Sequence, residues 1–261
     1  VAACLERIRQ REDDVQAWAY VDNELALSQA RQRDHEAPRS RLHGIPVGVK
    51  DVIDTSDMPT EYGSPIYRGH RPACDAACVA LVRELGGVIL GKTASTEFAT
   101  RHANKTRNPH NLDHTPGASS SGSAAAVADF MVPLAFGTQT GGSLIRPASY
   151  CGIVGYKPTH NSISPAGAKA LSATLDTIGV YGRTVPDAAL IGRALIGYAA
   201  LDFDAKPATA PRIGMYRTPQ WPLAEPAMAA AFEASATALE RAGARITEVN
   251  APPLMDEIIL A

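Results

Sequence analysis

A run of small residues at positions 115–147 constrains this chain more than any other part of its sequence. It opens on a serine cluster at residues 119–121 and closes on a Gly-Gly-Ser turn at residues 141–143. Alanines and then a short apolar segment lie between, which predicts a small-residue helix followed by a strand. Because only small residues allow such tight turns, each serine-bearing turn indicates a place where a substrate approaches the backbone closely.

A second feature lies upstream, where the apolar run at residues 45–49 ends in Lys50. The run predicts a buried strand, and lysine is rarely buried without a specific reason. In doubly wound sheets the carboxyl ends of the strands are where ligands bind. Lys50 is therefore a candidate functional residue.

Strand and helix patterns alternate along the chain, which predicts an α/β fold with a mixed, mainly parallel sheet covered by helices on both faces. The 261 residues are enough for one large domain. We expect a helical segment at residues 1–36, a core at 40–185 and a β-α-β segment at 205–261. A loop at residues 160–174 is expected to border the pocket.

The composition favours an ordinary globular protein, with 45% hydrophobic residues and a net charge of −2. Such a charge gives no reason to expect nucleic acid or an anionic membrane as a partner. No apolar stretch approaches the ~20 residues of a membrane span, and no secretory signal is recognisable. Together these features favour a cytoplasmic protein whose four cysteines are reduced.

The three serine- and lysine-bearing segments resemble the amidase signature family of serine hydrolases. The resemblance is strongest over residues 40–185, and its serines, Ser119 and Ser143, are 24 positions apart as in that family. Segments that look closest to the malonamidase branch are Met-Pro-Thr-Glu at 58–61, Ile-Tyr-Arg-Gly at 66–69 and Gly-Thr-Gln-Thr-Gly-Gly-Ser at 137–143. Further family motifs are Leu-His-Gly-Ile-Pro at 42–46, Gly-Lys-Thr at 91–93, Asn-Pro at 108–109 and Cys-Gly-Ile-Val-Gly-Tyr-Lys-Pro-Thr at 151–159.

The resemblance implies a Ser–cis-Ser–Lys triad that hydrolyses a carboxamide without a metal or an organic cofactor. Ser143 would be the nucleophile that forms the acyl-enzyme, Ser119 the bridging acid and base, and Lys50 the general base. The peptide before Ser119 would be cis, and Ser120 would support the network by hydrogen bonds. The alternative role for Ser143 alone is a helix N-cap.

Lys50 can act as a base only if its pKa lies well below the ordinary value of about 10.4. Burial among apolar neighbours lowers a lysine pKa by disfavouring the charged form. The adjacent Asp51 would oppose that shift if its carboxylate pointed inward. A surface lysine or a buried ion pair is the alternative interpretation.

An oxyanion hole is predicted at the second turn, from the backbone N–H groups of Gln139, Thr140, Gly141 and Gly142. Glycine-rich turns also bind phosphate, but the turn at residues 139–143 lacks the Gly-Lys-Ser/Thr of a P-loop. Two features depart from the commonest family pattern. Ala118 stands where glycine is usual. Gln139 and the order Ser-Leu-Ile-Arg-Pro at 143–147 replace the more frequent aspartate and Ser-x-Arg-x-Pro.

Arg146 follows the proposed nucleophile by three residues and is a candidate for gripping a substrate carboxylate. With the malonamidase resemblance, this favours a small acidic amide such as malonamate as the substrate. The alternative is an ion pair that holds a helix to the sheet. His110 and His114 lie in a loop composition, which disfavours zinc.

Two other functions stay open. The first is the amidase subunit of a tRNA-dependent amidotransferase, which uses the same triad with a partner protein. The second is a catalytically silent binding or scaffold protein. A homodimer is compatible with the sequence. Because members of this family are considerably longer, the resemblance also implies that the C-terminal part of the protein is missing.

Overall fold

A computed structural model of the chain describes residues 1–197 and 209–255. The chain groups into two compact units, Val1–Phe203 and Asp204–Ala261. The prediction of one domain across the chain stays a prediction. Within the described ranges, no helix combines the length and the apolar character needed to cross a membrane.

The first unit alternates helices and strands, as the sequence pattern predicts. Its helices are α1 (Ala2–Val15), α2 (Asn23–Asp34), α3 (Ala77–Glu84), α4 (Ser121–Ala128), α5 (Ile145–Cys151) and α6 (Val185–Ile196). Its strands are β1 (Trp18–Val21), β2 (Pro46–Lys50), β3 (Val88–Thr93), β4 (Leu134–Gln139), β5 (Val154–Tyr156) and β6 (Thr177–Gly182).

These strands form a six-stranded mixed sheet in the order β1-β3-β2-β4-β6-β5. The central strands β3, β2 and β4 are parallel to one another, whereas β1 and β6 run antiparallel to their neighbours. Four of the six strands therefore point the same way. The predicted fold class is confirmed, with antiparallel pairing confined to the two sides of the parallel centre.

Alternate residues of a strand pack in two separate hydrophobic cores, because successive side chains of a strand point to opposite faces of the sheet. Leu134 and Phe136 of β4 pack in one core with residues of α3 and α6. Ala135, which lies between them, packs in the other core with residues of α1, α4 and α5. Helices thus cover both faces of the sheet.

The N-terminal segment differs from the prediction of a helix over residues 1–36. Strand β1 interrupts the helix, and α1 ends at Gln16 in the left-handed conformation with φ of 53°. The Glu12 carboxylate accepts the N–H groups of Ala17 and Trp18, at 2.9 and 2.8 Å, where the helical hydrogen bonds stop. The Trp-Ala-Tyr-Val sequence that follows favours a strand. The helical periodicity of the segments on either side led to the prediction of one continuous helix instead.

The second unit contains β7 (Arg212–Met215), α7 (Pro226–Arg241) and β8 (Arg245–Glu248). Strands β7 and β8 are parallel neighbours, so the predicted β-α-β arrangement is present. The turn that follows α7 contains Gly243 with φ of +96°, a conformation that glycine adopts without a steric cost.

Candidate active site

The candidate site lies at the carboxyl end of the parallel strands. Strands β2 and β4 are parallel neighbours, so Lys50 at the end of β2 lies beside Thr138 near the end of β4. Helix α4 is packed against this part of the sheet, and Ser119 and Ser120 directly precede it. The sheet edge therefore brings together residues that are far apart in the sequence.

Lys50 is fully buried, with no exposed surface. Its Nζ lies 2.8 Å from Ser119 Oγ and 2.7 Å from Thr138 Oγ1. Burial lowers the lysine pKa to about 7, and the charge of Asp176 partly opposes this shift. A substantial fraction of Lys50 is therefore neutral near pH 7, the state in which it can accept a proton.

Asp51 does not oppose the pKa shift of Lys50, because its carboxylate points away from it. The Asp51 carboxylate accepts the backbone N–H groups of Glu61 and Gly63 and lies 3.6 Å from Lys92 Nζ. Lys92 is itself buried and donates to the Ile53 carbonyl at 2.7 Å. The Asp51 charge is thus neutralised on the far side of the sheet.

Ser119 and Ser120 are held by the packing of α4, whose residues are all buried. The Ala118–Ser119 peptide bond is cis, as the resemblance implied. Ser123 anchors the helix by donating to the Phe136 carbonyl of β4 at 2.7 Å. Small residues are required here, since a Cβ on Gly122 would lie 2.2 Å from the Ala17 carbonyl oxygen.

Ser120 links the two turns of the site. Its Oγ donates to the Thr138 carbonyl at 3.1 Å and accepts the Thr138 N–H at 3.2 Å. Its own N–H donates to the Ser143 carbonyl at 3.2 Å. Ser120 is therefore a buried residue whose hydrogen bonds join the two turns, as the supporting role predicted for it requires.

Ser143 lies beside this network in the turn after β4 and is partly exposed. Its Oγ forms no hydrogen bond with any residue that the structure describes. Leu144, not Ser143, is the N-cap of α5. The alternative interpretation of Ser143 as a helix cap is therefore excluded, and its hydroxyl is left available.

The turn around Ser143 also presents free donors. Among residues 1–197 and 209–255, none accepts a hydrogen bond from the N–H groups of Gly141, Gly142 or Ser143. The Gln139 side chain has a different task, since its Oε1 accepts the N–H groups of Leu144 and Ile145 at the start of α5. Gly141 and Gly142 belong to the predicted 139–142 set, and Ser143 adds a free donor outside it.

Thr140 and Asp176 connect this turn to the neighbouring loop. Thr140 Oγ1 donates to Asp176, whose other carboxylate oxygen accepts the N–H groups of Leu171 and Ser172 at 2.7 and 2.9 Å. Gln139, the last residue of β4, pairs with Thr177, the first residue of β6. Thr140 directly follows this pair on one strand and Asp176 directly precedes it on the other, which brings the two residues together.

Arg146 is exposed and lies against the same turn. Its Nη1 donates to the Ala118 carbonyl at 3.3 Å, and a Cβ on Gly142 would lie 2.7 Å from its Nη2. No ion pair joins Arg146 to a carboxylate among the described residues. The guanidinium is therefore close to both serine turns.

A cavity of about 360 Å³ opens beside Thr138, Thr140 and Asp176. Its other wall comes largely from residues 164–171, so the loop predicted to border the pocket does so. The lining is mostly apolar, and Lys169 adds an ammonium that lies 5.4 to 5.9 Å from three aromatic ring centres.

Thr138, Asp176 and Lys92 are the residues that sequence reasoning did not single out. Thr138 and Lys92 lie within family motifs, and their burial follows from the positions of their strands. Asp176 carries no local signal, because its partners lie at positions 140 and 171–172. The described residues contain no cluster of His, Cys, Asp or Glu that could hold a metal ion.

The fold and the site define a class of α/β proteins in which a buried lysine, a serine after a cis peptide bond and a Gly-Gly-Ser turn meet at one sheet edge. Comparison with known proteins agrees with this class. The family model described as Amidase matches residues 1–259. The chain belongs to the amidase family.

Similar proteins include a subunit of glutamyl-tRNA(Gln) amidotransferase from Salinispora arenicola, 39% identical over 96% of this chain and 56% of the relative. The crystal structure of peptide amidase from Stenotrophomonas maltophilia has a TM-score of 0.85 and 35% identity, over 96% of this chain and 58% of that one. The structure of the glutamyl-tRNA(Gln) amidotransferase subunit from Thermotoga maritima has a TM-score of 0.81 and 32% identity, over 96% and 57%.

This chain thus spans a little over half the length of these relatives. None of the three is named a malonamidase, so the malonamidase branch stays a prediction.

Proposed function

We propose that this protein is an amidase that converts a carboxamide to a carboxylate and ammonia through an acyl-enzyme on Ser143. The observation that carries the proposal is the 2.8 Å contact between Lys50 Nζ and Ser119 Oγ at a fully buried position. A lysine in this environment serves as a base, because burial favours its neutral form.

The proton route follows from the order of the three side chains. Ser143 attacks the amide carbon while its proton passes to Ser119 Oγ, and the Ser119 proton passes to neutral Lys50. Ser119 then protonates the leaving nitrogen, and Lys50 returns its proton to Ser119. Water hydrolyses the ester on Ser143 by the same route. The hydrogen bond from Ser143 to Ser119 forms when substrate is bound, as catalytic contacts often tighten in that complex.

The negative charge on the carbonyl oxygen is stabilised at the turn. The free N–H groups of Gly141, Gly142 and Ser143 supply donors that no described residue uses. In hydrolases a donor of this kind is worth roughly 3 kcal/mol of transition-state stabilisation.

For the substrate, the relatives favour the amidotransferase alternative over malonamate. An amidotransferase relative shares 39% identity over 96% of this chain, and a peptide amidase shares 35%. We therefore propose glutamine, hydrolysed with a partner protein, as the first amide to test. Malonamate rests on Arg146 and on the resemblance of a few segments to the malonamidase branch.

The test measures ammonia release from glutamine, a peptide amide, malonamate and an aliphatic amide, for the wild type and Ser143→Ala. Ser149→Ala is the matched control, because Ser149 is an exposed serine of α5. We expect turnover of at least one amide, lost in Ser143→Ala and kept in Ser149→Ala. Turnover that survives Ser143→Ala would rule out the proposed nucleophile. A folded wild type that neither turns over any amide nor reacts with a fluorophosphonate would favour the silent scaffold.

A further inference from the structure

We propose that Asp176 is a positioning residue of this site, which fixes the Gly-Gly-Ser turn by holding Thr140 against the loop that forms the cavity wall. The inference rests on the proposed function, because it assigns Asp176 a part in the reaction of Ser143. Asp176 touches neither Ser119 nor Ser143 by a hydrogen bond among the described residues.

Both oxygens of the Asp176 carboxylate are held by hydrogen bonds. One Asp176 oxygen accepts the Thr140 hydroxyl, and the other accepts two backbone N–H groups, those of Leu171 and Ser172. Hydrogen bonds to an ionised acceptor are stronger than those between neutral groups. The carboxylate therefore clamps the end of β4 to the loop that forms the cavity wall.

The Thr140–Asp176 hydrogen bond lies at the point where β4 passes into the Gly-Gly-Ser turn. Thr140 is the residue after the last β4 residue and directly precedes Gly141, whose N–H group is free. Glycines give this turn little rigidity of their own, since glycine has the widest choice of backbone conformations. The Thr140–Asp176 hydrogen bond supplies a fixed point on one side, and Gln139 supplies the other by capping α5.

Charged groups from four segments lie near this site, namely Lys50 at the end of β2, Asp176 before β6, Lys169 in the cavity loop and Arg146 in α5. Lys169 is directed at aromatic rings, and Asp51 is paired with Lys92 on the other side of the sheet. Asp176 is thus the carboxylate that raises the Lys50 pKa against the effect of burial.

The experiment follows the ¹³Cε chemical shift of Lys50 against pH in the wild type, Asp176→Asn and Thr140→Val. The resonance is assigned by its loss in Lys50→Met. Asp176→Asn removes the charge and is expected to move the Lys50 midpoint to lower pH by about half a unit or more. Thr140→Val keeps the carboxylate and is expected to leave the midpoint in place.

Turnover separates positioning from charge. We expect Asp176→Asn and Thr140→Val each to lower kcat about tenfold, because each loses the hydrogen bond between residues 140 and 176 that fixes the turn. Asp176→Glu keeps the charge on a longer side chain, so it is expected to hold the midpoint nearer to the wild-type value while kcat stays low. If Asp176→Asn does not fold, as judged by circular dichroism, Asp176→Ala removes the charge in its place.

Asp187→Asn is the matched control. The Asp187 carboxylate also accepts a threonine hydroxyl and a backbone N–H, both from Thr184, but at the start of α6. We expect this variant to keep the Lys50 midpoint and kcat. An unchanged Lys50 midpoint in Asp176→Asn would overturn the charge effect, and full kcat in Thr140→Val would overturn the clamp. A wild type that neither turns over any amide nor reacts with a fluorophosphonate would instead refute the proposed function, while the titration would still test the charge effect.

Discussion

The Asp51 carboxylate lies 3.6 Å from the ammonium of Lys92 and not against Lys50, the residue that precedes it in the chain. Strand geometry explains this, because successive side chains point to opposite faces of a sheet. Lys92 pairs with Val49 in the parallel ladder between β2 and β3, so Lys92 shares the face of Val49 and Asp51. Lys50 points to the other face, where it contacts Ser119. The chain thus keeps an acidic neighbour without raising the pKa of its candidate base.

The first prediction concerns the pH dependence of turnover. The folded Lys50 has a pKa of about 7 and serves as a base only when neutral. We therefore expect kcat/KM for a neutral amide to rise with pH and to level off above a midpoint near pH 7. A series of initial rates between pH 5 and 9 measures this profile. A flat profile in this range would argue against Lys50 as the base.

The second prediction concerns Lys50→Met. The folded pKa of Lys50, about 7, lies below its ordinary value of 10.5, so the unfolded chain binds more protons between these two values. The wild type therefore gains stability from this group as pH rises from 7 to 10.5. The free energy of unfolding of Lys50→Met minus that of the wild type should fall by a few kcal/mol across this window.

Denaturant titrations at several pH values measure this difference. Lys157→Met is the control, because Lys157 is exposed and its difference from the wild type should be nearly independent of pH. If the difference in unfolding free energy from the wild type changed equally with pH in Lys50→Met and Lys157→Met, burial of Lys50 would not be the cause of that change. Lys50→Met is also expected to lower kcat by about 10² to 10⁴, the usual contribution of a general base.

The third prediction concerns the buried pair of Asp51 and Lys92. Lys92→Met leaves the Asp51 carboxylate buried without a cationic partner, which should cost about 3–5 kcal/mol of unfolding free energy. Adding Asp51→Asn should recover part of that loss, because the uncompensated charge disappears.

Chemical denaturation of the two single variants and the double variant gives the coupling between them. Arg9→Met is the comparison, since it breaks the exposed pair of Arg9 with Glu6 and should change stability little. Strictly additive effects of Lys92→Met and Asp51→Asn would contradict an energetic link between the two buried charges.

The fourth prediction concerns Arg146, whose guanidinium is exposed beside both serine turns. If it binds a substrate carboxylate, Arg146→Leu should raise KM for malonamate selectively and leave neutral amides close to wild type. Steady-state kinetics on both substrates decides this. An equal loss for both would assign Arg146 to the structure of the turn, through its hydrogen bond to the Ala118 carbonyl.

Local patterns in the sequence predicted the parts of the fold that depend on nearby residues. Strand β2, helix α4 and the β-α-β arrangement of the second unit followed from apolar runs, small residues and the alternation of strand and helix patterns. Strand β1 was missed because Glu12 ends α1 with its side chain, an interaction that periodicity does not reveal. Strand β6, with its glycines, carries no pattern that requires its place between β4 and β5.

The candidate site was predictable where it depends on motif residues and less so where it depends on contacts between distant segments. Lys50 contacts Ser119, and Ser120 contacts Thr138 of β4, which fits the bridging and supporting roles that the resemblance implies for the two serines. Asp176 reaches the site only because β6 pairs with β4, and this pairing is not encoded near residue 176. The free N–H groups at Gly141, Gly142 and Ser143 likewise depend on how Gln139 caps the next helix.

The central claim is that Ser143 is the nucleophile and Lys50 its base, and the labelling of Ser143 by a fluorophosphonate tests it most directly. Intact mass and peptide mapping should show one adduct, on Ser143, formed faster as pH rises through about 7. The adduct should be absent in Ser143→Ala and form much more slowly in Lys50→Met. An adduct on another residue, or a Ser143 labelling rate that Lys50→Met leaves unchanged, would contradict the account.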